Sequence, residues 1–184
     1  MNFLILHGTL GSPEGNWFPW LAGELEKLGH RTLRPQLPKD QTPDNWIRAI
    51  GESVGDPGGD VTIVAHSMSC LATCLYLQNA KAPLRACFFA AGFAQDLPVR
   101  EPVKSLNLPF VKAPIEWPIV KLNCHKFICF AGDNDPYVPM DIAHDFASKL
   151  SAEFIVIKNG GHLNSDSGFT RPPQLLSAIE QVLQ

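Results

Sequence analysis

The chain has 184 residues, of which 45% are hydrophobic and 18% charged, with a formal net charge of −3 and a pI near 6.0. This is enough for one well-buried core and too little for two ordinary domains, so a single compact domain over residues 1–184 is expected. No Lys/Arg cluster supplies the electrostatic footprint of a nucleic-acid or anionic-membrane binder, and neither partner is expected.

The opening apolar run, residues 2–6, lacks alternation, which suits a strand covered on both faces. It is too short and lacks the basic start of a signal peptide. It ends at His7-Gly8-Thr9-Leu10-Gly11, whose glycines allow backbone amides to turn towards an oxyanion. A helix is expected from Asn16, with Trp17, Trp20, Leu21, Leu25 and Leu28 on one face and Gly29 as its stop. A second strand covers 30–33, a proline-punctuated loop follows, and a helix spans 44–54 with Trp46, Ile47 and Ile50 at helical spacing. Residues 55–60, Gly-Asp-Pro-Gly-Gly-Asp, read as a turn; they precede a strand, the wrong context for a phosphate loop.

The stretch Val61-Thr62-Ile63-Val64-Ala65-His66-Ser67-Met68-Ser69-Cys70 is a β-branched apolar run that stops at a polar triplet and restarts as a helix former. It reads as a nucleophile elbow, with Ser67 on the strained turn and the Met68 N–H as an oxyanion donor beside the helix N-terminus. The strict pattern G-x-S-x-G has Ala65 and Ser69 in the glycine positions, a small-for-small replacement. A helix over 68–79 and a strand over 84–91 follow. Residues 94–124, with Pro98, Pro102, Pro109, Pro114 and Pro118, show no periodicity and read as a long irregular connection over the strand ends. Phe93, Phe110 and Trp117 are its candidate pocket walls. A strand over 126–131, a helix over 141–150, a strand over 153–157 and an amphipathic helix over 172–183 complete an alternation that predicts a parallel sheet with helices on both faces.

Three later strand ends present Ser67, then Asp133 and Asp135, then His162 after a glycine pair. Ser-Asp-His is the chain order of an α/β-hydrolase triad. Serine is a weak nucleophile at its own pKa and needs a base near neutrality, which in turn needs a carboxylate to fix its tautomer. Asp135 is chosen over Asp133 because Pro136 and Val138-Pro139 stiffen the loop beyond it, whereas Asp133 suits a turn-holding role. His7 is read as shaping its loop or lining the pocket; His30, His66, His125 and His144 are read as structural or exposed. The five cysteines, Cys70, Cys74, Cys87, Cys124 and Cys129, are odd in number and mostly set in apolar runs, as reduced thiols of a cytoplasmic protein are. Cys70 and Cys74 without a further pair do not make a metal site.

His7-Gly8, Gly15-Asn16-Trp17-Phe18-Pro19-Trp20-Leu21, Ala65-His66-Ser67, Gly92-Phe93, Asp135-Pro136 with Val138-Pro139, and Gly161-His162 run in order along nearly the whole chain. In these the sequence resembles the small single-domain serine hydrolases grouped with YdeN and retinoblastoma-binding protein 9. The resemblance implies a three-layer α/β-hydrolase fold with about six parallel strands and no large cap domain. It also implies a triad of Ser67, Asp135 and His162, with an oxyanion hole from the backbone amides of Met68 and Thr9. The Leu-x-Cys-x-Glu tag of the mammalian member is missing, since Leu122-Asn123-Cys124-His125-Lys126 ends in lysine, so binding to retinoblastoma-type pocket proteins is not expected. The activity expected is hydrolysis of a small carboxylic ester, activated amide or thioester through an acyl-enzyme, with no cofactor and no metal. The alternatives are a non-catalytic protein-binding module, suggested by Ser69 and the proline-rich segment, or acyl transfer through the same triad.

Overall fold

A computed structural model describes residues 1–55 and 60–183. The turn expected over 55–60 therefore lies largely outside the described residues. The elements run β1 (Asn2–Leu6), α1 (Phe18–Lys27), β2 (Arg31–Leu33), α2 (Pro43–Val54), β3 (Val61–His66), α3 (Met68–Leu77) and β4 (Ala86–Ala90). They continue with α4 (Val103–Lys112), α5 (Trp117–Leu122), β5 (Phe127–Gly132), α6 (Met140–Lys149), β6 (Glu153–Ile157) and α7 (Pro173–Leu183).

All six strands are parallel, in the order β2-β1-β3-β4-β5-β6. Alternate residues along the strands feed two apolar clusters. Phe3, Ile5, Val64, Phe88 and Phe130 pack under α1 and α7, and Leu4, Leu6, Ile63, Ala65, Phe89 and Cys129 pack under α2 to α6. Burial on both faces explains why these strands read as unbroken apolar runs. Each large side chain so buried contributes about 2–3 kcal/mol from water exclusion. The helix α3 lies inside the second cluster with all but one of its side chains buried, the polar Ser69 and Thr73 among them.

Register places the strand ends side by side: Leu6 lies opposite Ala65, His66 opposite Ala90 and Gly132 opposite Ile157. The loops after β1, β3, β4, β5 and β6 thus open on one edge. The chain reverses its direction of travel between β1 and β3, so the connections there part and leave a crevice at the strand carboxyl ends.

Two sequence expectations need correction. The first helix begins at Phe18, because Asn16 has φ 50°, outside the helical region. Residues 94–124 are not an irregular loop: they form α4, whose Val103 and Asn107 roof the cavity at the carboxyl edge, and α5, which is tied to Leu77 and Gln78 at the far end of α3. Their periodicity was masked by Pro102 at the α4 N-cap, Pro109 within α4 and Pro118 in the first turn of α5. Burial of Phe110 on α4 offsets the cost of the internal Pro109.

Candidate active site

Ser67 follows the last residue of β3 with φ 58° and ψ −127°, a backbone conformation costly for any residue bearing a Cβ. Its N–H is held by the Ala90 carbonyl at 2.8 Å. Gly8 presses against the turn from β1; a Cβ there would lie 2.8 Å from the Ser67 Cβ, so only glycine fits. Ser69, in place of the elbow glycine, is fully buried and bridges two strands. Its Oγ accepts from the His66 N–H at 3.1 Å and is shared as a donor between the carbonyls of His66 at 2.9 Å and Leu6 at 3.2 Å. The hydroxyl ties the elbow to β1 without displacing Ser67.

The loop after β5 sorts its three polar residues by side-chain reach. Asp133 Oδ1 accepts from the Asn159 N–H at 2.6 Å, and Asn134 Oδ1 from the Gly161 N–H at 2.8 Å. Asp135 Oδ1 accepts from the N–H groups of Tyr137 (2.8 Å) and Val138 (3.1 Å), leaving Oδ2 to face His162 Nδ1 at 2.8 Å. The carboxylate is 2% exposed, so its bonds operate shielded from water. With Nδ1 donating to Asp135, Nε2 carries the lone pair and lies 3.2 Å from Ser67 Oγ.

Sequence reading did not anticipate what holds His162 in place. His66 Nε2 donates to the His162 carbonyl at 2.9 Å and Trp17 Nε1 to the adjacent Leu163 carbonyl at 2.9 Å. Asn16 Oδ1 accepts from the Ser165 N–H at 3.1 Å, and Ser167 Oγ from the His162 N–H at 3.2 Å. The Asn16-Trp17 pair and His66 are thus fasteners for the histidine loop. Burial, reinforced by the neighbouring His162, pushes the His66 pKa down to about 3, so this ring stays neutral and adds no charge beside His162.

Thr9 and Ser67 line a cavity of about 710 Å³ with Phe93, Leu97, Val99, Val103, Asn107, Tyr137 and His162 among its walls. Exposed Leu10 and Tyr137 stand at its edge. Met68 is buried and offers only its backbone N–H, the first of α3, which has no partner inside the helix. Among the described residues neither that N–H nor that of Thr9 donates to a protein acceptor.

Of the four pocket residues expected from sequence, His7, Phe93, Phe110 and Trp117, only Phe93 lines this cavity. His7 is buried behind it: Nδ1 donates to the Gly8 carbonyl at 2.9 Å and Nε2 accepts from the Leu37 N–H at 3.0 Å. Desolvation lowers its pKa, keeping it a neutral brace for the loop. Trp117 points away and packs edge-on to Phe146, with ring centroids 6.2 Å apart, and Phe110 packs on Trp46 at 5.2 Å. Once the proline-rich segment is helical, its aromatic side chains turn to the core.

All five cysteines are free and buried, and burial raises the thiols of Cys70, Cys74, Cys87 and Cys129 out of the reactive range. Among the described residues there is no metal-holding cluster of three or more His, Cys, Asp or Glu side chains. Nor is any described helix long and apolar enough to cross a membrane.

Comparison with known proteins places the chain. The family model described as serine hydrolase matches residues 3–181. The chain belongs to the serine hydrolase family. It is 22% identical to the serine hydrolase RBBP9 of Rattus norvegicus over 170 residues, covering 91% of this chain and 86% of that protein. The ydeN gene product of B. subtilis superposes with a TM-score of 0.91 at 24% identity, covering 99% of this hydrolase and 98% of that chain. Est1E from Butyrivibrio proteoclasticus superposes with a TM-score of 0.73 at 15% identity, covering 100% and 88% respectively. The hydrolase thus has the α/β-hydrolase fold in a small form.

Proposed function

We propose that this serine hydrolase cleaves small carboxylic esters with Ser67 as nucleophile, His162 as base and Asp135 as the group that orients the base. One observation carries the reading: unbroken hydrogen bonds run from buried Asp135 through His162 to Ser67, at the foot of a cavity on the switch-point edge. Ser67 Oγ attacks the ester carbonyl as His162 Nε2 takes its proton, and Asp135 stabilises the imidazolium. The oxyanion forms against the N–H groups of Met68 and Thr9. His162 then hands its proton to the leaving alkoxide, which departs as the alcohol, and the acyl group remains on Ser67. Water, deprotonated by His162, attacks the acyl-enzyme; the proton returns to Ser67 and the carboxylic acid is released. Free, buried thiols fit work in a reducing compartment such as the cytoplasm.

Ser69 braces the elbow and the proline-rich segment packs on the core, so neither feature points to a binding module. A fluorophosphonate probe tests the esterase reading. The intact protein is expected to label on Ser67 and to hydrolyse p-nitrophenyl esters, and Ser67→Ala to lose both. Ester turnover at the wild-type rate in Ser67→Ala overturns it.

A further inference from the structure

The cavity walls nearest the roof are apolar, built by Phe93, Leu97, Val99 and Val103, with one buried amide among them: Asn107 of α4, 6% exposed. Its orientation follows from its neighbours. Gln41 Nε2 reaches the Leu106 carbonyl at 3.3 Å, and a carbonyl only accepts, so this end of Gln41 is the amine. The same nitrogen donates to Thr9 Oγ1 at 2.8 Å. Thr9 therefore spends its own hydroxyl proton on the remaining neighbour, Asn107 Oδ1, at 2.5 Å, and Gln41 Nε2 adds a longer contact to that oxygen at 3.3 Å. With Oδ1 committed, Asn107 Nδ2 is left; among the described residues it has no protein acceptor, and it stays open to the cavity that the side chain lines.

An amide locked at one end and unpartnered at the other is a donor in waiting. A donor open to solvent needs no protein partner, but a substrate that fills the cavity and excludes solvent must either supply an acceptor or leave the N–H unpaired. Asn107 is tied to Thr9, the residue whose backbone N–H is the oxyanion donor of the proposed mechanism, so its partner atom belongs to the substrate a few bonds from the scissile carbonyl. We infer that Asn107 is a specificity-determining residue, and that the preferred substrates are esters carrying a hydrogen-bond-accepting ether or carbonyl oxygen near the scissile group, not plain alkyl esters. This rests on the esterase reading above and narrows its substrate class.

The test uses two isosteric pairs: p-nitrophenyl 3-methoxypropanoate against pentanoate, and 4-methoxybutanoate against hexanoate, each rate normalised to hydroxide-catalysed hydrolysis. The wild type is expected to favour the oxygenated member of at least one pair by about tenfold in kcat/KM, the scale set by an unpaired buried donor. Asn107→Leu should bring that ratio to about one; a merely structural role would slow both members alike and preserve it. Asn107→Asp keeps the Oδ1 bond to Thr9 and replaces only the donor with an acceptor, so it should push the ratio below one even where the leucine variant folds poorly. A wild-type ratio near one in both pairs overturns the inference while leaving the esterase reading intact, as does a ratio retained in both variants. Absence of both ester turnover and Ser67 labelling removes the esterase reading and this inference with it.

Discussion

The histidine loop and the roof over the cavity are built on opposite principles. Between Asn159 and Ser167 the loop is held by directional bonds from three separate parts of the chain: Asn16 and Trp17, His66, and the side chains of Asp133 and Asn134. The roof, residues 94–112, rests mainly on non-directional apolar contact through Phe110, with polar ties to Thr9, Gln41 and Asp145. Hydrogen bonds fix angles, as proton transfer demands, whereas apolar packing fixes volume and tolerates shifts. The floor is thus specified for reaction geometry and the roof for fit.

The contrast breaks most visibly at the carboxylate. Asp135→Asn keeps the size of the side chain but leaves His162 in the wrong tautomer, and kcat is expected to fall by roughly 10⁴. Steady-state ester kinetics check this, and a loss below tenfold would show that the loop's other fasteners align His162 unaided. A matched pair sharpens it next. Trp17→Phe removes the donor to the Leu163 carbonyl and should lower kcat by about 10- to 100-fold for every ester alike, as small misplacements of a base do. Leu97→Ala in the cavity wall should instead raise KM by up to about tenfold for longer acyl chains. Equal kcat losses in both variants would erase the distinction.

The smallest effect is on stability. His66 titrates at about 3 in the fold, below its ordinary 6.5, so the unfolded chain takes up this proton first. The contribution is complete above pH 6.5 and is lost as pH falls from there towards 3. Urea unfolding between pH 6 and 4 should show His66→Gln shedding a slope of up to about 1.4 kcal/mol per pH unit. Some slope remains, because His7 is shifted in the same direction. An unchanged slope would mean that His66 is not the buried neutral group the loop depends on.

The floor was far more legible in the sequence than the roof. Doubly covered strands leave apolar runs bounded by polar residues, so Ser67, Asp135 and His162 stand where runs such as 61–65 and 127–131 stop. Even there, the reason for Asp135 lay deeper than stiff prolines: its Oδ1 is occupied by two backbone N–H groups, which aims Oδ2. The roof hid because proline erases helical periodicity without always preventing a helix, and an aromatic such as Phe110 says nothing about which way it points. Asn107 and Gln41 gave no signal at all, and His66, read only as structural or exposed, gave none of its tie to His162. Their meaning lies in partners 98, 65 and 96 positions away, which no local pattern encodes.

The passage that carries the roof leaves the sheet after β4 and rejoins it before β5, two strands that lie side by side. It is therefore one contiguous passage of the chain, bracketed by hydrogen-bonded neighbours. A lineage can rewrite that passage, by insertion or recombination, and inherit the reaction unchanged while altering which molecules are consumed. One short stretch would have to be kept or deliberately revised: the turn of helix around Asn107 that is read against Thr9.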